Sequence, residues 1–191
     1  DGKPNHAAGN TTYISDFHKG GDPEDMINFP TEFTESVFAM INAIKKRMDD
    51  DPKLKIPIFG TCLGFQALLL SEAIGPPILR EIDNLQHPAE LKVDNSHPNN
   101  YLNKLLSKKQ VKEIETGKVY YYNHKYAVSV ATFNSNANLN STYDIVGTSM
   151  PKKRFKSHNG LSSSVPEINH EFDFPFVAAI AHKKYPFFGV Q

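Results

Sequence analysis

The run Ile56-Pro57-Ile58-Phe59-Gly60-Thr61-Cys62-Leu63-Gly64-Phe65-Gln66 constrains this chain more than any other stretch of it. An apolar, strand-like segment enters a turn flanked by glycines, and an apolar, helix-like segment (Ala67-Leu68-Leu69-Leu70) leaves it. Strand, sharp turn and helix in that order form a nucleophile elbow, which lifts the side chain at the turn clear of a sheet. Gly60 and Gly64 are both expected to answer a steric need, because the turn takes unusual backbone angles and the helix must pack close to the strand. A cysteine at the N-terminus of that helix has its thiolate favoured by the positive end of the helix dipole, and the thiolate is the form that attacks carbonyl carbon. The backbone N–H of Leu63 then points to where an oxyanion develops. By residue type alone a lone cysteine is more often a small buried hydrophobe. The glycines and the change from strand to helix at the cysteine argue against core packing, so Cys62 is the candidate nucleophile.

The surrounding pattern predicts one α/β domain with no internal repeat and no second-domain boundary. Residues 1–30 are polar, rich in Gly, Asn, Asp and Pro, and read as an irregular surface segment. A helix is expected from Thr31, with Phe33, Val37, Met40, Ile41, Ile44 and Met48 on its apolar face and Lys45, Lys46 and Arg47 near its end. Lys55–Phe59 reads as a short buried strand. The helix after Cys62 is apolar on most sides and therefore buried, with Gly75-Pro76-Pro77 to end it. Glu81–Asn100 is polar, Tyr101–Gln110 reads as a short helix, and Val119–Tyr122 as a strand that delivers Asn123-His124 to its end. A helical turn near Ala137–Asn140 precedes a strand at Tyr143–Ser149. Phe176–Ala181 and Pro186–Gln191 form a strand pair around His182-Lys183-Lys184-Tyr185. The expected architecture is three-layered: a mostly parallel central sheet with helices on both faces.

Composition removes several classes of partner. Lys plus Arg equals Asp plus Glu at 21 each, so no global field selects nucleic acid or an anionic membrane. The basic cluster Lys152-Lys153-Arg154-Phe155-Lys156 stands without a second basic stripe and reads as a solvated loop. No apolar run approaches the roughly 20 residues that span a bilayer. With one cysteine there is neither an internal disulfide nor a Cys-rich zinc site. The histidines show no His-x-x-x-His spacing, so no metal is expected. Asn10-Thr11-Thr12 and Asn140-Ser141-Thr142 are glycosylation sequons, a weak pointer to a secretory route.

Three motifs carry a family resemblance. Gly60-Thr61-Cys62-Leu63-Gly64-Phe65-Gln66 resembles the elbow of class I glutamine amidotransferase-like proteins, and its Thr and Phe resemble the γ-glutamyl hydrolase branch. Asn123-His124-Lys125-Tyr126 is similar to that branch's substrate-side histidine segment. Lys184–Gln191 looks like the strand that leads into its catalytic His-Pro-Glu. The resemblance runs from about Lys55 to Gln191 and implies a flavodoxin-like fold of the class I glutamine amidotransferase type. It also implies a partial chain, since the family's general base and orienting glutamate follow the position of Gln191, and β-α units with a Pro-Gly-Gly turn come before. Gly20-Gly21 does not follow an apolar strand, so that turn's role is not transferred to it.

What the resemblance implies for function is a cysteine hydrolase that cleaves γ-glutamyl amide bonds of folate-type polyglutamates through a Cys62 thioester. Its partner would be a small γ-glutamyl substrate, with no cofactor, in a lysosomal, vacuolar or secreted setting; a homodimer is compatible with this. His124 and Gln66 are the candidate substrate-binding residues, Gln66 because it lies one helical turn beyond Cys62. Many γ-glutamyl hydrolases carry an acidic residue at the position of Gln66, whereas in amidotransferases a glutamine shapes the substrate pocket. Arg80, Lys125 and Tyr126 are weaker candidates for a substrate carboxylate. Two alternatives stay open: a glutaminase domain that feeds ammonia to a synthase, and a catalytically inactive structural homologue.

Overall fold

The computed structural model of the protein describes residues 31–75, 78–97, 100–117, 120–151 and 175–191. The expected irregular segment 1–30, with Asn10 and Gly20-Gly21, and the basic cluster at 152–156 lie outside these residues. Chain order begins with α1 (Thr31–Asp50), β1 (Ile58–Thr61), α2 (Leu63–Leu70), β2 (Arg80–Ala89) and β3 (Lys92–Val93). It continues with α3 (Tyr101–Leu105), α4 (Lys108–Thr116), β4 (Tyr120–Ala127), α5 (Val130–Ser135), α6 (Ala137–Thr142), β5 (Tyr143–Ser149), β6 (Phe176–His182) and β7 (Phe187–Val190).

The central sheet has five strands in the order β1-β7-β6-β5-β3. Among the described residues only β1 and β7 run parallel, in the register Gly60↔Gly189 and Thr61↔Val190. The pairs β3–β5, β5–β6 and β6–β7 are antiparallel. The expectation of a mostly parallel sheet is therefore corrected to a mixed one. The physical reason is the connections: β6 and β7 are joined by the four-residue turn 183–186, which only an antiparallel pair can use, since parallel neighbours need a long crossover.

Strand β6 (Phe-Val-Ala-Ala-Ile-Ala-His) is buried along its whole length and marks the middle of the molecule. One face of the sheet sends Val177, Ile180, Tyr143 and Phe187 against Phe38, Ile41 and Met48 of α1 and Phe65, Leu68 and Leu69 of α2. The other sends Phe176, Ala178, Ala181 and Val146 against Tyr101, Leu102 and Val111 of α3 and α4, with Ile82 and Tyr122 from a separate two-stranded antiparallel sheet, β2–β4. Helical layers thus cover both faces.

Local chemistry sets the element ends. The face of α1 that enters the core is Phe38, Ile41 and Met48, while Met40, expected among them, points to solvent. The single helix expected at Tyr101–Gln110 is two: Leu106 is extended, and Ser107 opens α4 with a capping box to Gln110. Helix α2 stops at Leu70, before Gly75-Pro76-Pro77, because the Ser71 hydroxyl donates to the Leu68 carbonyl at 2.8 Å and the Glu72 N–H turns back to Leu69 O at 3.2 Å. Among the described residues no helix is long and apolar enough to cross a membrane.

Candidate active site

Cys62 lies where β1 ends and α2 begins, as its sequence context requires. Its backbone takes φ 50° and ψ −104°, the only positive φ of a non-glycine residue among those described. A residue with a Cβ adopts that region only under strain, and such strain collects at functional sites. The conformation is held from both sides. The Cys62 N–H donates to Val190 O at 2.8 Å across the β1–β7 boundary, and Cys62 O accepts the first helical bond from the Gln66 N–H at 3.0 Å. The thiol is exposed. No side chain caps α2 and no acidic residue occupies its first turn, so the positive end of its dipole is left uncompensated beside the sulfur. The Leu63 N–H belongs to that first turn and has no carbonyl within the helix to accept it.

The two glycines of the motif do different things. A Cβ built on Gly60 would sit 2.6 Å from Gly64 O and 2.8 Å from Leu68 Cδ1, so only glycine lets α2 lie this close to β1. A Cβ on Gly64 would meet nothing within 4 Å, so the expected steric demand there is absent. A second close approach, missed in the sequence, is Gly189, whose Cβ would fall 2.9 Å from Phe65 Cδ2. Strand β1 is also less buried than expected: among the described residues it is an edge strand, and Phe59 is 59% exposed while touching Tyr101 edge-on.

His124 is not at a strand end, and its strand belongs to the two-stranded sheet β2–β4 and not to the sheet that holds β1. It sits inside β4, whose inward side chains are Tyr122 and His124 and whose outward ones are Tyr121, Asn123 and Lys125. Its ring is 6% exposed and packs edge-on to Tyr122 and Phe176 at centroid distances of 5.2 and 5.5 Å. Nδ1 lies 2.8 Å from the Tyr126 carbonyl, which can only accept, so Nδ1 carries the proton and Nε2 keeps its lone pair. Nε2 is buried and finds no hydrogen-bond partner among the described residues. Burial pushes the ring's pKa down to about 4, against the opposing pull of the Tyr126 hydrogen bond, so the imidazole is neutral at physiological pH.

Gln66 does follow Cys62 by one turn, yet its side chain runs inward and is 4% exposed. Its amide nitrogen donates to the Tyr126 carbonyl at 3.1 Å and to Gln191 Oε1 at 3.3 Å. Gln66 and His124 therefore converge on one backbone oxygen, a meeting point that no side-chain pattern announces. Lys125 is exposed, and Arg80 opens β2 opposite Ala127, the residue after Tyr126. Asn140 is exposed within α6, at the place of the expected helical turn, and its carbonyl accepts from Lys183 Nζ at 2.6 Å.

Comparison with known proteins adds two findings. The sequence model of the family Glutamine amidotransferase class-I matches residues 26–191. The chain is also 24% identical, over 136 residues, to the protein named Gamma-glutamyl hydrolase 1 of Arabidopsis thaliana, a match that covers 71% of this chain and 34% of that one. The chain thus spans about a third of the length of the curated relative it matches.

Proposed function

The chain belongs to the class-I glutamine amidotransferase family, and from that premise we propose that it is the cysteine-bearing part of a hydrolase that cleaves γ-glutamyl amide bonds, with folate-type polyglutamates as substrates. One observation carries the reading: an exposed cysteine in a strained backbone conformation, at the junction of a strand and an uncompensated helix N-terminus. That junction is the nucleophile elbow of the mechanism. The Cys62 thiolate attacks the γ-carbonyl carbon, and the Leu63 N–H stabilises the oxyanion. Collapse of the tetrahedral species breaks the C–N bond, and the leaving amine takes a proton from a general acid. Water, deprotonated by the same group, then hydrolyses the thioester to a γ-carboxylate and restores the thiol.

The acid–base group is proposed to come from the chain that follows Gln191. Strand β7 runs parallel to β1 and its Val190 carbonyl bonds the Cys62 N–H, so a continuation of that strand emerges beside the sulfur. His124 is assigned to substrate contact instead. Neutral and committed to Tyr126 through Nδ1, it offers a lone pair and not a charge. The lysosomal, vacuolar or secreted setting belongs to the same proposal. A glutaminase is the second reading, favoured by the name of the matching family, and differs only in the leaving amine.

The test is Cys62→Ala in the full-length protein, assayed on a pteroyl γ-oligoglutamate and on glutamine. Loss of the nucleophile should lower kcat at least about 10³-fold on the true substrate. Activity within tenfold of wild type would remove the mechanism, and turnover of glutamine alone would select the second reading.

A further inference from the structure

We propose that Gln66 is a positioning residue: the two hydrogens of its amide nitrogen, one given to the Tyr126 carbonyl and one to Gln191 Oε1, fix the backbone oxygen that selects the tautomer of His124. The catalytic consequence rests on the reading of His124 as a substrate contact, whereas the tautomer itself does not.

Three features of the structure carry it. First, the valences close. A primary amide nitrogen has two hydrogens, and here it has two acceptors, at 3.1 and 3.3 Å. Turning the amide over would set its oxygen against the Tyr126 carbonyl, two acceptors with no proton between them, so that backbone carbonyl determines the orientation. Second, the Tyr126 oxygen has two lone pairs and takes donors from both sides, Gln66 Nε2 and His124 Nδ1 at 2.8 Å. The position of that oxygen decides which ring nitrogen of His124 is protonated. Third, nothing else described does the selecting. His124 Nε2 is buried without a hydrogen-bond partner among the described residues, and the rings packed on the imidazole, Tyr122 and Phe176, meet it edge-on.

The link is mechanical as well as electronic. Gln66 is on α2, Tyr126 and His124 are on β4, and Gln191 follows β7. One buried amide therefore ties the helix that begins at Cys62 to the strand that carries His124 and to the end of the strand beside the sulfur. A substrate placed between Cys62 and His124 would read the distance that Gln66 maintains.

The experiment records long-range ¹H–¹⁵N correlations of the imidazole nitrogens in the ¹⁵N-labelled full-length protein at pH 7. In wild type His124 should show a protonated Nδ1 and a bare Nε2. In Gln66→Met, which keeps length and burial and removes both donors, the Nε2–H tautomer should rise to at least a third of the population. Gln191→Met removes only the second acceptor, leaves the bond to the Tyr126 carbonyl in place, and should raise the Nε2–H tautomer by less than Gln66→Met does. On a γ-glutamyl substrate Gln66→Met should raise KM about tenfold, the worth of one well-placed hydrogen bond, with kcat within threefold. An Nε2–H tautomer in wild type overturns the proposal even if the variant fails to fold, and so does an unchanged His124 spectrum in Gln66→Met. Wild-type protein inert towards γ-glutamyl amides would sink the functional reading alone, because the spectra need no substrate.

Discussion

Replacing Gly60 by alanine tests how closely α2 is held to β1. The new Cβ would stand 2.6 Å from Gly64 O and 2.7 Å from Gly64 C, both backbone atoms, against the 3.4 Å at which ordinary contact begins. About 0.8 Å must be found by moving the first turn of α2, because a backbone oxygen cannot swing aside as a side-chain end can. Overpacking of this kind costs about 1–3 kcal/mol. In a chain of this size each kcal/mol lowers Tm by about 2–4 °C, which gives a fall of roughly 2–12 °C. Gly64→Ala is the matched control: the same change four residues on, into open space, at a helical position where alanine is preferred by up to about 1 kcal/mol. Thermal unfolding followed by circular dichroism at 222 nm should therefore move the two variants in opposite directions. Equal Tm values for Gly60→Ala and wild type, or equal losses in both variants, would refute the close-packing argument. Gly64→Ala adds a second reading, since a more stable variant that turns over substrate more slowly would place that open space on the substrate's path.

Acid should weaken the fold through its buried histidines. Burial lowers His124 to about 4 and His182 to about 3, while an unfolded histidine titrates near 6.5. With the folded value depressed, the unfolded chain binds more protons below pH 6.5, so this stability is complete above 6.5 and is lost as the pH falls towards 4. Each histidine should remove about 2 kcal/mol by pH 5, read as a fall in the urea midpoint between pH 7 and pH 5; a flat profile would mean that the rings are not buried neutral. Tyr143→Phe should cost about 1 kcal/mol, because its buried hydroxyl donates to Leu68 O at 3.2 Å and that carbonyl keeps a second donor, Ser71 Oγ. Equilibrium unfolding checks it, and a loss above 3 kcal/mol would point to a larger repacking. Asn136→Ala should cost a similar amount, since it removes the cap on the Leu139 N–H and the bond from Nδ2 to Ile74 O at 2.9 Å; a Tm equal to wild type would show both bonds to be idle.

Much of the frame around Cys62 is legible in the residues themselves. The strand–turn–helix switch, the apolar run of β6 and the turn that returns the chain into β7 each write their geometry in local composition. Strand β2 does not. Arg80–Ala89 is polar, contains Pro88, and pairs with β4 through a ladder with two register shifts, so backbone pairing and not side-chain alternation makes it a strand. Strand direction is equally silent: β6 and β7 are as apolar as parallel strands, and only the length of their connection separates the two cases. The break between α3 and α4 is encoded in Ser107-x-x-Gln110, a capping box that lies inside an otherwise helical pattern. At the site, sequence distance brings Gln66 under Cys62 but gives no sign of where its amide goes. The acceptor is the Tyr126 carbonyl, and every residue has a carbonyl.

The pairing of β1 with β7 also sets an order of events during synthesis. Gln66 and Gln191 are 125 residues apart in sequence, and the bond between them closes only after everything in between has been made. Joining chain ends so distant carries a loop-closure cost that nearby contacts do not, so the hairpins and short helices can form while β1 still waits for its neighbour. The sulfur is made well before the Val190 carbonyl that braces its backbone. A ribosome paused before Phe187 would hold an unbraced thiol, and the backbone of the nucleophile is fixed only once β7 has been made.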